Sequence, residues 1–129
     1  LPKPFLISII DDDASVRAAT NNLIRSHGYN AHNFGSADDF LQSAHLTDTS
    51  CVIADVQMPA MSGVELLILL RARGYSMPFI FVTAFPDEDL RTRALKAGAI
   101  CFLAKPFDGS ALIRCLDTAL KQNTGEASK

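Results

Sequence analysis

A chain of 129 residues that is 48% hydrophobic and 20% charged can bury a core without a disulfide or metal staple, which excludes a disordered protein. Its net charge of −2, with 12 Lys and Arg scattered along the sequence, argues against nucleic-acid binding by this segment, because neutralising phosphates takes clustered basic residues. No apolar run reaches the roughly 20 residues that cross a bilayer, and Leu1-Pro2-Lys3-Pro4 lacks the plan of a signal peptide, so a cytoplasmic protein without membrane contact is expected.

Five short apolar runs alternate with helical patterns. Phe5 to Ile10 reads as the first strand and runs into Asp11-Asp12-Asp13. The helix that follows places Val16, Ala19, Leu23 and Ile24 on one stripe, with Gly28 as its C-terminal cap. Tyr29 to Phe34 is the second strand, and Ser36 caps a helix carrying Phe40, Leu41 and Ala44. Cys51 to Ala54 forms the third strand and leads into Asp55. A helix from about Gly63 to Arg73 turns Val64, Leu67, Ile68 and Leu70 inward and stops at Gly74. Phe79 to Thr83 is the fourth strand, and Pro86-Asp87-Glu88 opens a helix lined by Leu90, Ala94 and Ala97 that ends at Gly98. Ala99 to Ala104 is the fifth strand and runs into Lys105-Pro106. Asp108 then caps a helix that faces Leu112, Cys115, Leu116, Ala119 and Leu120 inward.

Strands that are almost wholly apolar belong in a parallel sheet covered on both faces. The alternation therefore predicts an α/β, three-layer (βα)5 sandwich with right-handed crossovers. Cys51, Cys101 and Cys115 lie in apolar stretches at spacings that match no metal motif, and are expected to be reduced, buried residues. His27, His32 and His45 are scattered and show no partner pattern.

In open α/β sheets, ligands bind beyond the carboxyl ends of the strands. Here Asp11-Asp12-Asp13, Asp55, Thr83 and Lys105 all stand at such ends. Carboxylates held together repel, and a hard divalent cation with oxygen preference relieves the conflict. Lys105 offers a compact cation and Thr83 a hydroxyl donor for phosphoryl oxygens. A carboxylate nucleophile in that company suits phosphoryl transfer onto Asp.

The sequence resembles the receiver domain of bacterial two-component response regulators, of the CheY-like superfamily. The likeness runs from about Phe5 to Leu120 and rests on four signatures in order. They are Ile9-Ile10-Asp11-Asp12-Asp13, Ala54-Asp55-Val56-Gln57-Met58-Pro59 with Met61-Ser62-Gly63, Val82-Thr83-Ala84, and Lys105-Pro106-Phe107. The resemblance implies a flavodoxin-like sheet of order 2-1-3-4-5 and a phosphoacceptor at Asp55, with Thr83 and Lys105 contacting the phosphoryl group. It implies Mg2+ (or Mn2+) held by Asp12 directly, by Asp11 largely through water, by Asp55 and by the backbone carbonyl of Gln57. Thr83 and Phe102 would form the switch, and the Lys105-Pro106 bond would be cis.

The run Met58-Pro59-Ala60-Met61-Ser62-Gly63-Val64-Glu65-Leu66-Leu67 is similar to the FixJ-like subgroup. The expected partners are then a sensor histidine kinase, a second copy when phosphorylated, and a C-terminal DNA-binding domain outside this chain. Residues 1–121 would be the receiver and 122–129 a polar tail or linker. The implied role is a phosphorylation-dependent switch, not an enzyme. A competing reading is a haloacid-dehalogenase-type phosphohydrolase with Asp11 as nucleophile, since Asp11-Asp12-Asp13-Ala14-Ser15 fits its pattern. That reading leaves Asp55 unexplained, and its further acids, Asp108 and Asp117, fall on the last helix.

Overall fold

Apolar runs become strands where they were expected: β1 Leu6–Ile10, β2 Asn30–Phe34, β3 Cys51–Asp55, β4 Phe79–Thr83 and β5 Cys101–Ala104. Between and after them lie α1 Ala14–Ser26, α2 Ala37–Leu41, α3 Gly63–Ala72, α4 Glu88–Ala97 and α5 Gly109–Asn123. The computed structural model describes residues 5–123, the last two of these in backbone only. α5 thus continues past the expected start of the tail at 122, and residues 124–129 lie outside the described residues.

All five strands are parallel, in the order β2-β1-β3-β4-β5. Alternate side chains feed two separate cores. Ile10, Val52, Ala54, Phe79 and Phe81 pack with Phe40, Leu66, Leu67 and Leu70 beneath α2, α3 and α4. Ile7, Ile9, Ile53, Ile80 and Val82 pack with Ile24, Leu112 and Leu116 beneath α1 and α5. β3 is buried along its whole length because it is central and covered twice, whereas β5, at the edge, is at most half-buried.

Helix faces depart from expectation in three places. Ala19 is exposed and Thr20 takes its inward position, because Val16, Thr20 and Ile24 repeat at i, i+4. On α3, Leu66 is fully buried while Ile68 is 56% exposed. At about 100° per residue, Gly63, Leu66, Leu67 and Leu70 span one face and Ile68 falls outside it. α2 ends at Leu41, leaving Ala44 exposed in the turns that follow.

The caps were more legible. Ser36 accepts the Asp39 N–H and Asp108 accepts that of Ser110, as expected, and the structure adds Asp13, which accepts the N–H groups of Ser15 and Val16 at the start of α1. Gly98 ends α4 at φ 115°, a left-handed conformation that a side chain would strain. α3 also carries a reciprocal cap that the sequence reading passed over: Ser62 accepts the Glu65 N–H, and the Glu65 carboxylate accepts the Ser62 N–H.

Two long-range pairings correct the sequence reading. Cys101 on β5 and Cys115 on α5 form a disulfide, and Cys51 alone keeps a free, fully buried thiol, whose pKa burial pushes up. His32 and His45 stack with ring centroids 3.8 Å apart. Burial lowers the His32 pKa, helped by repulsion from His45 and Arg25. The unfolded chain therefore binds this proton more readily, so stability should fall as pH drops through the unfolded value of about 6.5 and level off below the folded one. Urea midpoints measured from about pH 7 to pH 5 should show a shallower decline in His32→Asn than in the wild type. Equal slopes would mean that the pair contributes nothing to the acid side of the profile.

Candidate functional site

The register sets the site. Ile10 pairs with Ala54, Asp55 with Val82 and Thr83 with Ala104, so β1, β3, β4 and β5 end together along one edge. Asp11, just past β1, is 2% exposed, and Asp55, the last residue of β3, is 7% exposed. Lys105, just past β5, reaches back between them. Its Nζ lies 2.9 Å from Asp11 Oδ2 and 3.0 Å from Asp55 Oδ2.

Backbone donors hold the other carboxylate oxygens. The Gln57 N–H donates to Asp55 Oδ1 at 2.9 Å, and the Asp13 N–H to Asp11 Oδ1 at 2.9 Å. Arg17 Nη1 donates to the Asp11 carbonyl at 2.6 Å. Lys105 is itself anchored: its N–H donates to the Thr83 carbonyl at 2.7 Å, and its bond to Pro106 is cis. Thr83 is fully buried, and its hydroxyl oxygen accepts the Phe85 N–H at 3.1 Å.

Burial raises the pKa of Asp55, while hydrogen bonds from Lys105 and Gln57 pull against it. Burial acts to lower that of Lys105, but its bonds to Asp11 and Asp55 prevail and raise it, so the ammonium is secure. Asp12 is exposed, and oxygens of Asp11, Asp12 and Asp55 lie within 4.8 Å of one another. Three carboxylates face one lysine, an excess of negative charge built from hard oxygen donors. That donor set fits a hard divalent cation such as Mg2+ or Mn2+.

Gly63 was read as a helix start, and the structure gives it a further reason. A Cβ there would lie 2.7 Å from the Asp55 carbonyl oxygen and 2.8 Å from the Phe81 ring. Neither neighbour can swing aside, since one is backbone and the other is fully buried core. Gly63→Ala is expected to cost about 2 kcal/mol as overpacking, read as a lower urea midpoint. An unchanged midpoint would show that the β3–α3 turn can give way.

Asp11, Asp12, Asp55 and Lys105 converge, Thr83 lies on the adjoining strand end, and Gln57 contributes its N–H through an exposed turn. Phe102 stands apart on β5, half-buried against the core beneath α4. It borders a hollow of about 280 Å³ shared with Pro86, Asp87, Glu88, Arg91 and Ala104. Arg17 was missed, because its bond to the Asp11 carbonyl depends on the β1–α1 turn and leaves no local signal. The acids that the phosphohydrolase reading needs are elsewhere: Asp108 bonds Ser110, and Asp117 accepts the Tyr29 hydroxyl at 3.0 Å.

A doubly covered parallel sheet in this order defines a flavodoxin-like α/β protein, and its carboxyl edge carries an aspartate cluster that could hold a metal ion, with a lysine beside it. The family model of the response regulator receiver domain matches residues 7–117, and the chain belongs to that family. It is 39% identical over 120 residues to the transcriptional regulatory protein FixJ of Azorhizobium caulinodans, covering 93% of this chain and 57% of that protein. It is 38% identical over 116 residues to the response regulator protein TodT of Pseudomonas putida, covering 90% of this chain and 51% of that one. Among solved structures, the response regulator StyR superposes with a TM-score of 0.88 at 37% identity, over 98% of this chain and 64% of that chain. The chain thus spans about half the length of the curated relatives it matches. It is a signalling module of the two-component type and not a conventional enzyme. Among the described residues, no helix is long and apolar enough to cross a membrane.

Proposed function

We propose that the chain is a cytoplasmic phosphorylation switch in which Asp55 accepts a phosphoryl group from a phosphohistidine on a sensor histidine kinase. The observation that carries this reading is the Lys105 ammonium bridging two buried carboxylates that lie 94 and 50 residues away in sequence. A buried Lys–Asp–Asp cluster at a strand edge is costly to maintain and is poorly explained by stability alone.

Transfer needs one carboxylate oxygen of Asp55 to attack phosphorus while the bond from phosphorus to the donor imidazole nitrogen breaks, its electron pair remaining on the ring. The Gln57 N–H holds Asp55 Oδ1, which orients the carboxylate and leaves its other oxygen beside Lys105. Lys105 is one side-chain movement from a phosphoryl oxygen in that place, and the Thr83 hydroxyl would donate to another. A Mg2+ ion held by Asp12, Asp55 and the Gln57 carbonyl, with Asp11 in its outer shell, would supply charge that offsets both carboxylate repulsion and the charge on the phosphoryl group.

Added negative charge beside Thr83 and Lys105 would draw both toward it, and Phe102 would fill the space that Thr83 leaves. The face of α4 and β5 would change with it. α4 presents acidic Asp87, Glu88 and Asp89 at one end and basic Arg91, Arg93 and Lys96 further along, a self-complementary pattern for a symmetric dimer. A DNA-binding domain C-terminal to this chain would read out that change, in keeping with the transcriptional regulators among its relatives.

Acetyl phosphate with Mg2+ should add one phosphoryl group to the intact mass, and a chelator should prevent the addition. A chain that never gains the group, or gains it equally without a divalent ion, is not the switch described.

A further inference from the structure

The disulfide has no part in the phosphoryl chemistry, yet it sits where that chemistry must be transmitted. Cys101 opens β5, whose next residue is Phe102 and which leads directly into Lys105. The two neighbours face opposite ways: Phe102 packs with the core beneath α4, and Cys101 with the core beneath α1 and α5. Cys115 stands on α5 with a Cα–Cα distance of 6.2 Å to Cys101. β5 is an edge strand of four residues, paired on one side by β4. The bridge is thus a covalent tie between α5 and the edge of the sheet.

We propose that Cys101 and Cys115 form a reversible dithiol–disulfide couple that clamps β5 and sets how freely the strand carrying Phe102 and leading to Lys105 can move. The consequence for signalling rests on the phosphorylation reading above; the clamp itself does not.

Two observations support reversibility. Both cysteines are half-buried, within reach of small reagents, whereas Cys51 is fully buried and held as an unreactive thiol. Both cores close without the bridge, which spans a sequence separation of 14, so opening it leaves the fold standing.

The chemistry needs an oxidant of the small-molecule disulfide class, for which glutathione disulfide is the probe. One protein thiolate attacks a glutathione sulfur, giving a mixed disulfide and releasing one glutathione thiolate. The second protein thiolate attacks the protein sulfur of that mixed disulfide, closing the Cys101–Cys115 bond and releasing the other glutathione thiolate. The two electrons leave with the two glutathiones, which take up the two protons that the cysteines gave up.

By linkage, a bridge that holds β5 in the conformation described here must oppose any rearrangement of Phe102 and Lys105 on phosphorylation, and phosphorylation must oppose the bridge to the same degree. The test uses the whole chain equilibrated in glutathione buffers of different ratio. Oxidation should remove the mass of two hydrogen atoms, and thiol alkylation should then label neither Cys101 nor Cys115 in the native protein. Hydrogen exchange of the amides in β5 should be roughly tenfold slower in the oxidised protein, with β1 and β3 unchanged. Phosphoryl gain from acetyl phosphate should be several-fold slower in the oxidised protein. Cys115→Ser, which leaves the β5 sequence intact, should exchange and phosphorylate like the reduced protein in every buffer.

Equal exchange of β5 in the two redox states overturns the clamp, whatever the phosphorylation result. So does a bridge that never forms across the buffer series, or one that resists reduction in the native protein. A redox-dependent β5 in a chain that gains no phosphoryl group in either state leaves the clamp standing and overturns the phosphorylation reading instead.

Discussion

Replacing Asp55 by Asn is expected to abolish phosphoryl gain while leaving the fold intact. Asn keeps the volume of the side chain, and its carbonyl oxygen can still accept the Gln57 N–H that Asp55 accepts at 2.9 Å. What disappears is the anionic oxygen beside Lys105, and with it the nucleophile. Stability should move by no more than about 1 kcal/mol, because the lost attraction to Lys105 is offset by removing a carboxylate whose burial already disfavours its charge. Intact mass after incubation with acetyl phosphate and Mg2+ reads the first effect, and urea unfolding reads the second. Phosphoryl uptake at the wild-type rate on Asp11 or Asp12 would refute the assignment of the acceptor.

Lys105→Met should damage both function and stability, and the two losses should respond differently to Mg2+. Methionine keeps most of the length of the stem but leaves the buried carboxylates of Asp11 and Asp55 facing each other without a cation. Removing one partner of a buried ion pair costs about 3–5 kcal/mol, a range that a relieving cation should reduce. Urea unfolding in chelator is therefore expected to show a loss of about 3 kcal/mol, with a smaller loss when Mg2+ is present. Phosphoryl transfer should slow by about 10²–10³-fold even with Mg2+, the usual cost of losing one positioned charge at a site of developing negative charge. Equal stability losses with and without Mg2+ would show that no cation shares the carboxylates with Lys105.

The strands, their order of burial and the chemical types at their ends were legible because each is written in local pattern. Runs such as Phe79–Thr83, apolar up to the closing Thr, announce a twice-covered strand, and a polar or charged residue ending one marks the edge where ligands bind. Caps at Ser36 and Asp108 were legible for the same reason: donor and acceptor are two or three residues apart. Ala19 and Ile68 were misplaced because apolar identity is a weaker guide than angular position once a helix has two or more candidate faces.

Other features depend on distances between segments remote in sequence. The parallel register between β1, β3, β4 and β5 decides that Lys105 reaches Asp11 and Asp55 together. The docking of α5 brings Cys115 to Cys101, where composition alone pointed to separate reduced thiols. The turns after α2 carry His45 onto His32, and the β3–α3 turn presses Gly63 against Asp55 and Phe81. Residue type and spacing along the chain determined which groups could do the chemistry. Their meeting was decided by tertiary packing, because right-handed crossovers join strands through long connections whose closure no local pattern records.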